Sequence, residues 1–118
     1  MAAVTDLTAK SCSEFNKDCP DDPDVYYQSY GSVAPEASGN QFPLNLTHSL
    51  VQYYDGMNDG LVAVDSMEWG DEFTLIQPEG GRGITHGDVI DLNRENIPGY
   101  DVREVYVNIL KDLKERGL

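Results

Sequence analysis

An acid followed downstream by a histidine is what this chain offers for chemistry: Asp59 in the run Asn58-Asp59-Gly60-Leu61-Val62, then His86 in Gly83-Ile84-Thr85-His86-Gly87-Asp88. Such a pair makes up two parts of a serine-hydrolase triad, in the chain order that triad takes when the acid precedes the histidine. A serine attacks a carbonyl, an imidazole takes and returns its proton, and a carboxylate fixes the imidazole tautomer and stabilises its charged form. Histidine suits the middle role because it titrates near neutrality and both accepts and releases a proton. Spacing alone does not choose among carboxylates, so Asp65, Asp71 and Glu72 compete with Asp59. Asp59-Gly60 is also an ordinary turn pair and His86 an ordinary loop residue, the plainer reading of each. The other histidine, His48, falls in a helical stretch without a partner pattern and is read as structural or exposed.

Leu7 to Asn16 is a short helix packing Leu7 and Phe15 inward, stopped by the prolines of Asp18-Cys19-Pro20-Asp21-Asp22-Pro23-Asp24. Val25 to Val33, aromatic and β-branched between turn formers, predicts a strand, and Ala34 to Pro43 a loop. Leu44 to Tyr54 carries Leu46, Leu50, Tyr53 and Tyr54 at helical spacing. The acid loop follows, then a brief apolar segment from Leu61 to Trp69, a second strand over Glu72 to Gln77, and a loop at Pro78-Glu79-Gly80-Gly81-Arg82-Gly83. Glycines 56, 60, 83 and 87 give the two loops freedom to turn sharply. At the end Asp101 with Glu104 predicts a capping box, and Val102, Val105, Tyr106, Ile109, Leu110 and Leu113 trace one helical face. Lys114 and Arg116 sit near its negative end, with Gly117 just past the last turn.

With 118 residues, 40% of them hydrophobic, the chain suits one globular unit, 1–118, without room for two ordinary domains. Its 21 acidic residues against 8 basic ones give a formal charge of −13, which argues against nucleic acid and anionic membranes as partners. No apolar run approaches transmembrane length, and Met1 to Asp6 lacks the basic and apolar regions of a signal peptide. The expectation is a soluble chain without a membrane span, cytoplasmic as written and secreted if a leader lies upstream. Cys12 and Cys19 are spaced wrongly for a zinc knuckle or a Cys-x-x-Cys redox site; they are either free thiols or a local disulfide.

Strand, acid loop, strand, histidine loop and amphipathic helix is the order that closes an α/β-hydrolase sheet. The residues carry the resemblance further. Asn58-Asp59-Gly60-Leu61-Val62 resembles the acid loop of bacterial triacylglycerol lipases, and His86-Gly87-Asp88 with the polar segment after it resembles their histidine loop. Leu7-Thr8, Phe15-Asn16 and Tyr26-Tyr27 look like the preceding helix and strand, and Leu110 to Leu118 like the closing helix, so the likeness covers nearly the whole chain. It implies an α/β fold forming the C-terminal portion of such an enzyme, few strands with flanking helices in an incomplete sheet. It further implies Asp59 as triad acid, His86 as general base and then acid, and a lipid or short-chain ester as the substrate of the full-length enzyme.

The chain departs from the family in one large respect. The Gly-x-Ser-x-Gly elbow and the oxyanion amides belong well before the acid, yet Gly31-Ser32 and Ser38-Gly39 do not complete that motif. A triad acts as a unit, so the chain alone is expected to hydrolyse nothing, and the missing N-terminal part of the same enzyme is its expected partner. No cofactor is required. Asp88 matches a position that supplies a calcium carboxylate in some bacterial lipases, with Glu36 the one acid in the earlier loop, so the resemblance implies a structural calcium as the alternative to Asp88 capping the following turn. Arg94 and Arg103 are read as surface ion-pair partners. A reading from a different class makes the chain a non-catalytic acidic interaction module or a calcium-binding module. Asp55-Gly56-Met57-Asn58-Asp59-Gly60 begins like an EF-hand loop, but Met57 and Ser66 stand where oxygen ligands are required.

Overall fold

The computed structural model of the chain describes residues 5–37, 41–77 and 80–118. The loops expected over 34–43 and 78–83 therefore lie partly outside the described residues, as do Ser38 and Gly39. Among the described residues the chain is a small mixed helix and strand unit: helix α1 (Ala9–Asp18), strand β1 (Gln28–Ser32), helix α2 (Leu44–Asp55), strand β2 (Glu72–Ile76) and helix α3 (Val102–Glu115). In the connections described, Val64–Ser66 and Asp88–Ile90 form 3₁₀ turns. No helix among the described residues is long and apolar enough to cross a membrane.

Local chemistry sets the boundaries. Thr8 caps α1 by accepting the Ser11 amide, so the helix begins after Leu7 rather than at it. Leu7 and Phe15 do not pack inward as expected: they are 79% and 64% exposed. Strand β1 is shorter than Val25 to Val33 because the flanking backbone bonds elsewhere. Tyr27 N–H donates to the Asp71 carboxylate at 3.1 Å, while the Val33 carbonyl and the Ala34 amide are taken by loop residues far along the chain. Asp101 caps α3 through the Arg103 amide at 2.9 Å, without the reciprocal bond that a capping box requires of Glu104. At the other end Leu118 N–H reaches the Leu113 carbonyl (3.0 Å) and Gly117 N–H that of Lys114 (3.1 Å), with Gly117 at φ 83°, which is a Schellman ending.

The strands run parallel, Gln28 opposite Glu72 through Ser32 opposite Ile76. Parallel neighbours cannot be joined by a hairpin, and here α2 and the acid loop make the crossover. Among the described residues the buried hydrophobics are few (Val33, Ala34, Ala63, Ile84 and Ile97), and the buried polar side chains outnumber them. The interior is thus a hydrogen-bonded knot around the carboxyl ends of the strands. Elsewhere apolar faces stay open: Leu46, Leu50 and Tyr53 on α2, Tyr106, Val107 and Leu110 on α3. The chain exposes 8737 Å², where a compact monomer of its 13.1 kDa exposes about 6,400 Å². Its Cα radius of gyration, 15.7 Å, likewise exceeds the roughly 13.5 Å of a compact domain this long.

Candidate active site

The acid loop leaves α2 at Gly56, which takes φ 83° beyond the last helical residue, and turns again at Gly60 with φ 103°. Both values lie where glycine is favoured. Asp59 sits between them with its side chain only 5% exposed. One carboxylate oxygen, Oδ1, accepts the amides of Leu61 (3.0 Å) and Val62 (2.9 Å). The other, Oδ2, lies 2.8 Å from His86 Nδ1.

The histidine loop reaches the same point from β2. Gly83 is required there twice over: its φ is 70°, and a Cβ would fall 2.5 Å from the Val33 carbonyl oxygen. That close approach lets Ile84 N–H donate to the Val33 carbonyl at 2.8 Å and brings His86 N–H onto the Asp59 carbonyl, also at 2.8 Å. Gly87, by contrast, keeps an ordinary φ of −75°, so its freedom is not what shapes the turn.

Asp88 closes this loop. Its Oδ2 accepts the amide and hydroxyl of Thr85 (2.8 and 2.7 Å), and Arg82 clamps both oxygens at 2.7 and 3.2 Å while also pairing with Glu95 at 2.6 Å. Asp88 therefore caps backward onto Thr85 rather than forward onto the following turn. Burial pushes its carboxyl upward, but the hydrogen bonds from Arg82 and Thr85 outweigh that and hold it below the ordinary carboxylate value. Among the described residues, no three His, Cys, Asp or Glu side chains gather as a metal-binding group.

Of the residues the sequence singled out, Asp59 and His86 come together. The competing acids do not: Asp71 accepts Tyr27 N–H, Glu72 pairs with Arg116 at 2.7 Å, and Asp65 lies in an exposed turn. His48 is buried and structural, its Nε2–H donating to the Ala34 carbonyl at 2.8 Å. Arg103 pairs with Asp101 as a surface ion pair; among the described residues no ion pair involves Arg94. Cys12 and Cys19 are free and exposed. The loop that begins like an EF-hand uses its Asn58 and Asp59 oxygens on its own amides. Sequence reasoning missed Arg82 and Thr85, whose only signal was an arginine and a hydroxyl flanking an aspartate in a glycine-rich loop.

The pair is asymmetric in its setting. The acid is enclosed, whereas the imidazole is 45% exposed, with Nε2 the nitrogen that Asp59 leaves free. A carboxylate on Nδ1 selects the tautomer with its proton there, so Nε2 carries the lone pair and can accept a proton. His86 and Asp59 line a cavity of about 320 Å³ walled also by Tyr30, Val62, Met67, Ile76, Val105 and Ile109. Ser32 lines the same cavity, and its hydroxyl is buried without a hydrogen-bond partner among the described residues. It ends β1 and enters a loop, not the strand-to-helix elbow of an activated serine. No protein-family model, curated protein or solved structure matches the chain.

Proposed function

We propose that the chain is the acid- and histidine-bearing part of an α/β-hydrolase that cleaves carboxylic esters of the triacylglycerol type, its serine supplied by a companion segment. The single observation carrying this reading is the 2.8 Å contact between the enclosed Asp59 carboxylate and the open His86 imidazole. In the reaction, His86 Nε2 takes the proton of the companion's serine as its oxygen attacks the ester carbonyl. Asp59 stabilises the imidazolium, which then protonates the departing alcohol; a water repeats the sequence to release the acid. This chemistry calls on no cofactor. A mostly apolar cavity that His86 lines suits an uncharged ester in a chain of formal charge −13.

Support for the companion comes from surface. Parallel sheets are ordinarily covered on both faces, yet here two strands stand with open apolar helices around them. The excess over a compact monomer, roughly 2,300 Å², is of the size that obligate partners bury. The same open faces would serve a non-catalytic interaction module, so activity must decide. The test reads the coding sequence in frame ahead of Met1 and co-expresses what it encodes with this chain, assaying a short-chain ester such as 4-nitrophenyl butyrate. The chain alone is expected to be inactive, and the pair active only with His86 intact. An upstream sequence lacking a Gly-x-Ser-x-Gly elbow, or turnover indifferent to His86→Ala, would overturn the proposal.

A further inference from the structure

The geometry points to Asn58 as the positioning residue of the acid, its carboxamide holding the backbone on both sides of Asp59 so that the carboxylate faces His86. Asn58 is wholly buried, at 0% exposure. Its Nδ2 donates to the carbonyls of Gly56 (2.9 Å) and His48 (3.3 Å), and its Oδ1 accepts the Gly60 amide at 2.8 Å. Its own carbonyl accepts the Ala34 amide at 3.0 Å. One residue thus ties the acid loop to helix α2, to the exit of β1 and to the far side of the acid itself. His48 closes the ring onto Ala34, and Thr47 Oγ donates to the Gly60 carbonyl.

Those partners select the side chain. Two carbonyls demand donors and one amide demands an acceptor, which a carboxamide supplies in one orientation only. Aspartate would set a carboxylate oxygen against two carbonyls, and serine keeps an acceptor but lacks the two donors. Asp59 can then place Oδ1 on the Leu61 and Val62 amides, which leaves Oδ2 aimed at the histidine.

What the positioning is for rests on the hydrolytic reading, but its test needs neither substrate nor companion. The probe is the imidazole ¹⁵N spectrum of the whole chain, which reports which nitrogen of His86 carries the proton. In the unaltered chain neutral His86 is expected as the Nδ1–H form. Asn58→Ala and Asn58→Ser should each raise the Nε2–H population about fivefold, the loss of a bias worth one hydrogen bond, while the Trp69 indole signal stays native. A merely structural asparagine would lower stability and leave the tautomer of the folded fraction unchanged, which overturns the proposal. Should both variants fail to fold, the unaltered chain decides: slow exchange of the Asn58 carboxamide protons together with neutral His86 held as the Nδ1–H form supports the proposal, and either exchange at the free-amide rate or an Nε2–H majority at His86 overturns it. Absence of ester hydrolysis with the companion would remove the catalytic reading and leave the tautomer result standing.

Discussion

His86 meets Asp59 twice, its amide on the Asp59 carbonyl and its Nδ1 on the Asp59 carboxylate, each at 2.8 Å. The side-chain bond orients an imidazole; the main-chain bond holds the loop that carries it. Two segments 27 residues apart are thereby fixed to each other at the end of the sheet.

The two members of the pair should differ in what they contribute to folding. Asp59→Ala leaves the Leu61 and Val62 amides without their acceptor and is expected to cost about 2 kcal/mol. His86→Ala removes a half-exposed ring, and water can enter to hydrate the freed Oδ2, so roughly 1 kcal/mol is expected. Urea denaturation of both variants measures the difference; equal costs would mean that the acid loop does not depend on its aspartate.

Arg82 braces the histidine loop from outside the pair. Its guanidinium is the cation that Asp88, almost fully buried, is paired with. Arg82→Met should therefore destabilise the chain by about 2 kcal/mol, less than for a fully enclosed pair because the arginine itself is partly solvated. Calcium should leave the melting midpoint of the unaltered chain where it is, because both Asp88 oxygens are already engaged. A calorimetric scan with calcium and with chelator checks this, and a clear upward shift with calcium would assign Asp88 to a metal instead.

The N-cap of α3 sets a pH dependence. The side-chain hydrogen bond from Arg103, with that residue's backbone amide, depresses the Asp101 carboxyl to about 2. A depressed carboxyl contributes stability in full above its unfolded value, about 4, and loses it as pH falls through the folded one. Helix content compared between the unaltered chain and Asp101→Asn should differ at pH 7, and the difference should close between about pH 4 and pH 2. A difference that stays constant across this range would deny the carboxylate its role.

What the sequence disclosed follows the range of the forces involved. Asp59 and His86 were legible because an acid loop and a histidine loop in that order, each beside glycines, need no knowledge of packing. Helix α3 was legible from its apolar spacing and its Gly117 ending, which are local. The end of β1 was not, since Val33 and Ala34 leave the ladder only to meet Ile84 and Asn58, partners invisible along the chain. The clamp from Arg82 to Asp88 and Glu95 was hidden for the same reason. Periodicity showed which faces of α2 and α3 are apolar, but not that they would stand open, because coverage depends on what packs against them.

The proposed role of the Asp59–His86 pair is weighed most squarely by kcat for ester hydrolysis in the proposed assembly of this chain with a serine-bearing companion, comparing Asp59 with Asp59→Asn. An asparagine keeps the shape and presents the wrong partner to Nδ1, so kcat should fall by about 10⁴ with the fold retained. A variant within tenfold of the unaltered enzyme would show that the acid at position 59 does not serve the histidine at position 86.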